Sequence, residues 1–444
     1  MKKRYQQISF LILLLCIAPI TKAQESKEAW SLRECIDFAI NHNLSIKQAG
    51  NTITQRELRK ETTKWSRLPN LNANASQNWN WGRSASPIDN TYTDIRTSGA
   101  NFGVSTNIPL FTGLELPNQY ALAKLDLQAS VADLEKAKED LSVRVTTLYF
   151  QVLFNEEIEG VAKRQVELSR EQLLRGEAEF NLEKIAKADL AELKARVEQD
   201  VLRYVQAQNN TQLALLELTQ LLELESPLNF KVKPIQEDVH FGALTPPGEL
   251  YQEALLFKPE IKASTYRLEG AMKSIRIAKS GYLPKVSFGA SLGTGYYTVQ
   301  GRESEAFRRQ LSNNFSKALG FSISIPIFNR LSTYNQVRMA KVDFNNQLLA
   351  LDIKKKELYK EIQQAWYNAV ASESKFRASK TSLQANQESF LLVKEKYELG
   401  RSNNLEFNEA KLNLMKAESD MIQAKYDYLF REKLLDFYKG IPIE

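Results

Sequence analysis

The stretch NIPLFTGLELPNQYALAK, Asn107 to Lys124, returns 217 residues later as SIPIFNRLSTYNQVRMAK, Ser324 to Lys341. The spacing holds for Pro109/Pro326, Phe111/Phe328, Asn118/Asn335 and Lys124/Lys341, and continues without a gap through Leu141/Leu358, Glu192/Glu409 and Leu218/Leu435. Upstream it is 215, as in Ile46/Ile261, Lys64/Lys279 and Pro69/Pro284, so the two-residue difference falls between Pro69 and Pro109. A repeat constrains a fold before any local signal does, because one layout must be built more than once. Here two copies are expected, 24–224 and 251–444, joined by a Pro/Gly-rich linker over 225–250 and together making one domain.

Each copy changes periodicity twice. A helical stretch comes first, Ser31 to Trp65 and Pro247 to Ser280. A period of two follows. Val286, Phe288, Ala290 and Leu292 alternate with Ser287, Gly289, Ser291 and Gly293, and the partner run sets Phe321, Ile323 and Ile325 against Ser322 and Ser324. In the first copy Phe102, Val104, Thr106 and Ile108 form one run, and a stretch ending in Trp79 and Trp81 forms the other. Alternating runs of about ten residues with aromatics near their ends fit outer-membrane barrel strands. Half-buried hairpins in a soluble sheet alternate in the same way. After each second strand the helical pattern runs from Leu114 to Leu182 and from Thr333 to Leu399, about 100 Å at 1.5 Å per residue. The return legs, Lys187 to Leu224 and Asn404 to Tyr438, are about half as long. Helices of this length are struts.

Lys2, Lys3 and Arg4 precede an apolar run from Phe10 to Ile20, and Thr21-Lys22-Ala23 offers small residues for cleavage. Residues 1–23 are therefore expected to be a secretory signal peptide, with Gln24 as the mature N-terminus. Cys16 follows Leu15 and lacks the small residue of a lipoprotein site. The chain carries 59 basic and 53 acidic residues, and loss of the four basic residues of the signal reduces its formal charge from +6 to near balance. No basic aromatic patch points to nucleic acid. Cys35, alone after the signal, cannot form an intrachain disulfide, and with His42 and His240 as the only histidines no His/Cys metal site is expected. No cofactor is implied. There is no nucleophile motif or phosphate loop, and GASLGTG (Gly289 to Gly295) lies inside a strand pattern, so the chain is not expected to be an enzyme.

After the signal no apolar run approaches 18 residues, so entry into a membrane is possible only as strands. Four strands cannot stand alone in lipid, where each unpaired backbone group costs several kcal/mol. Single-chain barrels begin at eight strands. Three chains supply twelve. With the strands in a membrane, the expected fold is mainly α with a membrane β-barrel portion: four strands per chain completing a 12-stranded barrel in a trimer, and long helical hairpins prolonging it as a tube.

This layout resembles the TolC-like outer-membrane efflux family over essentially the whole mature chain. The resemblance is carried by IPLF (Ile108 to Phe111) and IPIF (Ile325 to Phe328) at the strand-to-helix junctions, by Leu68-Pro69 and Leu283-Pro284 before each hairpin, and by YELG and NLEFNEAK between Tyr397 and Lys411. It implies a homotrimeric outer-membrane channel whose long helical hairpins form a periplasmic α-barrel, the exit duct of a tripartite efflux or secretion system. The implied partners are a periplasmic adaptor (membrane fusion) protein, an inner-membrane transporter and outer-membrane lipid. A trimeric adhesin or autotransporter would also build twelve strands, but from a contiguous C-terminal block. A periplasmic coiled-coil adaptor would lack the doubled strand-helix junction.

Along the second return leg Phe407, Ala410, Leu414, Ala417, Met421, Ala424 and Tyr428 step by three and four, the pattern of a narrow coiled-coil seam. One position before each lies a polar residue: Glu406, Glu409, Asn413, Lys416, Asp420, Gln423, Asp427. The first copy places Asp189, Glu192, Arg196, Gln199, Arg203, Gln206 and Asn210 at the same points. A solvated helix face gives such a stripe; the resemblance implies a pore lining. It maps an acidic constriction ring onto Glu406 and Glu409, with Asp189 and Glu192 as first-copy equivalents, although the family has aspartates where this chain has glutamates. It maps a tip closure link onto Tyr397 and Asp189, with Ser402 in place of the family's basic partner and Arg401 adjacent. Packing of Tyr397 on a neighbouring helix accounts for that residue equally well. The implied adaptor-contacting tips are Leu399, Gly400, Arg401 and Ser402 in one copy and Glu183, Lys184 and Ile185 in the other. Glu183 stands where the turn glycine belongs, and Gly176 is too far upstream to substitute. The first tip is therefore expected to keep the acids and lose the turn.

Overall fold

The computed structural model describes residues 29–85, 91–228, 230–235, 241–242 and 244–443; the expected signal peptide lies outside them. In chain order the elements are α1 (Leu32–His42), α2 (Leu44–Trp65), β1 (Asn72–Ala85), β2 (Tyr92–Thr112), α3 (Glu115–Asn181), α4 (Lys187–Leu221), α5 (Pro247–Phe257), α6 (Pro259–Lys279), β3 (Lys285–Val299), α7 (Phe307–Asn313), β4 (Ser316–Ser324), α8 (Ser332–Glu398) and α9 (Asn404–Tyr438). The long helices α3 and α8 are each 67 residues, and the return helices α4 and α9 are each 35. Both pairs start 217 residues apart.

The expected N-terminal helix of each copy is in fact two helices. In the first copy Ser31 and Glu34 exchange capping bonds at the start of α1, and Asn43 interrupts the run by accepting the Ser45 N–H at 2.9 Å. In the second copy Pro259 opens α6 and holds Lys258 in an extended conformation, φ −59° and ψ 125°. The strand-to-helix junctions also repeat. Gly113 and Leu114 are both left-handed, and so are Arg330 and Leu331 at the matching points. The last sequence-predicted strand stops at Ser324 rather than Ile325, just before Pro326, which has no N–H to give.

The chain divides into two compact units. Of the described residues, the first comprises 29–39, 145–228 and 230–235. Its core buries Cys35, Ala39, Val145, Val152, Leu218 and Leu222. The Tyr149 hydroxyl lies 2.6 Å from the Lys233 carbonyl and 3.1 Å from that of Trp30, which ties the extended segments at 30 and 232 to α3. Gly176 lets α4 approach closely: a Cβ there would lie 2.2 Å from Leu193 Cδ1.

The second unit comprises, of the described residues, 40–85, 91–144, 241–242 and 244–443. Leu250, Ala254 and Ile261 pack with Leu351, Leu358, Ile362, Ala365, Ala369 and Leu435, so α5, α6 and the end of α9 share the middle of α8. Beside this core the Lys258 ammonium is almost fully buried, 3.1 Å from Glu139 and 3.5 Å from the Phe437 ring centre. Farther along, Phe376 stacks on Tyr428 with ring centres 6.1 Å apart.

The sheet belongs to this unit. Its order is β1-β2-β3-β4, antiparallel throughout, so the two copies join at β2 and β3. Register puts Ala73, Val104 and Leu292 in one row and Ile108, Phe288 and Phe321 in another. One face therefore carries Ala75, Trp79, Phe102, Val104, Ile108, Val286, Phe288, Leu319, Phe321 and Ile323. The other carries Asn74, Ser76, Asn78, Asn101, Gly103, Ser105, Ser287, Gly289, Ser291, Gly293 and Ser322. A bulge between Pro109 and Phe111 returns Phe111 to the apolar side. Lys317 is a cation on that side, and its ammonium lies 5.6 Å from the Phe315 ring centre.

β4 is shorter than β2 and pairs with β3 only as far as Gly293. Beyond it α7, which has no sequence periodicity of its own, covers the β3 edge. The Gln310 side chain accepts from the Tyr297 N–H and donates to its carbonyl, at 2.9 and 3.1 Å. Asn314 Nδ2 donates to the Gly295 carbonyl at 2.7 Å. Side chains thus replace the missing ladder.

Candidate channel tips and lining faces

The second tip joins α8 to α9. Gly400 is left-handed, with φ 71°; its N–H donates to the Tyr397 carbonyl at 3.0 Å, and the Arg401 N–H donates to that of Lys396 at 2.7 Å. These paired bonds are the Schellman closure of a helix C-terminus. The first tip is built identically. Glu183 has φ 56°, its N–H donates to the Phe180 carbonyl at 2.9 Å, and the Lys184 N–H donates to that of Glu179 at 2.9 Å. The expected loss of the turn is therefore wrong. Two orphan carbonyls are satisfied by the left-handed residue, and that gain holds Glu183 in a conformation costing about 1–2 kcal/mol for a residue with a Cβ.

Each return helix then begins with an acid at its third position. Asn403 caps α9 by accepting the Glu406 N–H at 2.8 Å, while Ser402 Oγ donates to Glu406 Oε2 at 2.6 Å. In the first tip the Ala186 N–H donates to Asp189 Oδ2 at 3.0 Å. Both carboxylates also face the positive end of a helix dipole. Local capping thus gives Glu406 and Asp189 a structural task whatever else they do.

Farther along, the copies diverge. Glu192 is bound by Arg196 one turn on, at 2.6 and 3.1 Å. The residue one turn after Glu409 is Asn413, and among the described residues Glu409 has no hydrogen-bond or ion-pair partner. The polar stripe of α9 is exposed from Glu406 to Gln423, and its seam residues Phe407, Ala417, Ala424 and Tyr428 are buried. That stripe carries Glu406, Glu409, Asp420 and Asp427 against Lys416 alone; the first-copy stripe balances Asp189 and Glu192 with Arg196 and Arg203. Net negative charge therefore resides on the α9 stripe, whereas the α4 stripe is balanced.

The Tyr397 ring packs against Phe407, 4.7 Å between centres, and Phe407 also meets the Phe390 ring at 5.5 Å. Leu182, Leu399 and Leu405 stand exposed at the tips, more than 60% accessible each, and Arg401, Glu183 and Lys184 are exposed as well, with Ile185 and Ser402 half-buried. Sequence reasoning named these positions except Leu182 and Leu405, and it missed Asn403, whose signal was available: an Asn three residues before a Glu at a helix start.

Residues 36–223 and 250–440 match the outer membrane efflux protein family. The chain belongs to that family. Among relatives of this efflux protein, the outer membrane efflux protein BepC of Brucella suis biovar 1 is 22% identical over 76% of this chain and 70% of its own. The outer membrane protein TolC of Escherichia coli K12 is 23% identical over 77% of this chain and 70% of its own. The Campylobacter jejuni CmeC outer membrane channel superposes with a TM-score of 0.78 at 20% identity, covering 92% of this chain and 85% of that one. As an outer membrane efflux protein the chain is a transport channel component of the outer membrane that extends into the periplasm. Its four-stranded sheet and long helical hairpins are the TolC-like fold.

Proposed function

We propose that three copies of this efflux protein assemble into a duct whose sheets close a 12-stranded barrel and whose helices prolong it as a tube. The duct is the exit of a tripartite system, fed by an inner-membrane transporter through a periplasmic adaptor that docks on the exposed tips at Leu399–Ser402 and 183–185. The observation that carries this reading is the sheet itself. It has one apolar face, one face of Ser, Gly and Asn, and two edges, β1 and β4, without a partner strand among the described residues. An open edge is costly in lipid, and a closed ring of sheets removes it with the apolar face outward and the polar face around water. Native mass measurement of the detergent-solubilised protein should give three chains; a stable monomer overturns the assembly.

The acids of the second copy complete the proposal. Three copies of Glu406 and Glu409 around one axis would form rings that favour cations and bind divalents. A closing link among Tyr397, Asp189 and Arg401 of neighbouring chains belongs to the same reading. A Tyr397→Phe channel that stays as tightly shut as the parent removes the link and leaves the rings untouched.

A further inference from the structure

The outer end of the apolar sheet face differs chemically from the rest. Rows Ile108 and Ser98 are ten residues apart on β2, about 33 Å along the strand. At the tilt of barrel strands this spans about 25 Å, the height of the lipid-facing band. The Ser98 row contains Trp79 and Thr298, and the next row outward contains Trp81 and Arg96. These strand ends lie opposite the ends that feed α3 and α8, so they face away from the periplasm. Here an open groove of about 380 Å³ is lined by residues that include Trp79, Trp81, Arg96, Thr298, Arg302 and Ser304.

Two features separate this groove from an ordinary aromatic girdle. It brings together two arginines from distant segments, Arg96 on β2 and Arg302 from the β3–α7 connection. Neither has a carboxylate within ion-pair distance among the described residues, and no acid lines the groove; Glu303 beside Arg302 is not part of it. The nearby Arg83 has no ion pair among the described residues either, but it lies over the Tyr92 ring, 5.8 Å from its centre. Uncompensated cations on a lipid-facing surface are expensive unless an anion meets them there. Planar guanidinium forks match phosphate geometry, and indole rings settle at the headgroup level.

We propose that this groove binds the phosphate of an outer-leaflet lipid headgroup, with Arg96 and Arg302 clamping the phosphate and Trp79 and Trp81 packing on the adjoining sugar or acyl stem. The site rests on the apolar face being the lipid face. Outside lipid the same residues would be a solvent-exposed anion patch.

The test offers the solubilised assembly a diphosphorylated glycolipid, the same glycolipid without phosphates, and inorganic phosphate, and reads retained lipid by native mass measurement. The phosphorylated lipid should be retained, and Arg96→Gln with Arg302→Gln should weaken retention roughly tenfold or more. Lysine at both positions should lose less, because charge remains while the fork is gone. Equal retention by parent and glutamine variant overturns the proposal. Full displacement by inorganic phosphate also overturns it, in favour of a small-anion patch. Brominated acyl chains distinguish the underlying reading: they should quench fluorescence that disappears in Trp79→Phe/Trp81→Phe. Quenching without arginine dependence refutes only the phosphate site, whereas no quenching refutes the lipid-facing assignment.

Discussion

Glu183 and Gly400 stand 217 residues apart and close the same turn, with φ 56° and 71° and matching pairs of carbonyl bonds. One holds it freely; the other holds it under strain. Glu183→Gly should therefore stabilise the first tip by up to about 1 kcal/mol, the relieved left-handed cost less some gain in unfolded-state freedom. The reciprocal Gly400→Glu should loosen the second tip by about 1–2 kcal/mol. Amide exchange at Lys184 and Arg401 reads both, and should slow in the first variant and quicken in the second.

The charge imbalance between the two stripes gives opposite effects for two sets of substitutions. Glu406→Ala with Glu409→Ala should raise single-channel conductance and weaken block by divalent cations. Arg196→Gln releases Glu192 from its ion pair and should strengthen that block. Bilayer recordings of purified channel measure both. Insensitivity of block to all three positions would mean that the stripes do not line the conduction path.

The sheet faces are tested by neighbouring residues on one strand. Val104 lies in the apolar row with Ala73 and Leu292, and Ser105 in the polar row with Asn72 and Ser291. Val104→Arg should cost about 2–4 kcal/mol if it lies near the bilayer midplane and should reduce folded protein in the outer membrane. Ser105→Arg should be tolerated there and should narrow the lumen, lowering conductance. Recovery of heat-resistant assembly from membranes separates the two.

Lys258 and Glu139 form a buried pair in which burial opposes both charges. It lowers the lysine pKa from its usual value and raises that of the glutamate, while each partner pulls the other back. Lys258→Met should destabilise the second unit by about 3–5 kcal/mol, and Lys258→Met with Glu139→Gln should recover much of it. The sign with pH follows from the raised glutamate. Without the lysine, folded Glu139 keeps its proton above the ordinary value of 4.5, whereas the unfolded chain releases it. The single variant's deficit should thus be small at low pH and grow as pH rises past that value. Thermal unfolding across pH checks this; a pH-independent deficit would place the loss in packing of the lysine stem.

The struts were legible almost to the residue, Leu114 to Leu182 against Glu115 to Asn181, because a helical pattern without proline extends through short-range bonds alone. The break before Pro259 was also written in the sequence, yet the apolar period on either side concealed it. Helix α7 was not legible: seven residues carry no period, and its role exists only through bonds from Gln310 and Asn314 to a strand already in place. The Glu192–Arg196 pair was readable at four-residue spacing. The charge difference between the two stripes was readable as well; that each stripe is exposed along its own helix needed the structure.

By itself the sequence determined the doubling, the lengths of the struts, the alternation of the strands and the acids that follow each tip. All are set by local periodicity and helix-end chemistry. Tertiary structure decided that β2 pairs with β3 across the copies, aligning every apolar row on one face, because alternation alone is compatible with many registers. It also decided that Glu183 takes a glycine's conformation. Propensity disfavours that choice by about 1–2 kcal/mol, but closing two carbonyls at the end of a 67-residue helix and redirecting the chain into α4 outweighs it.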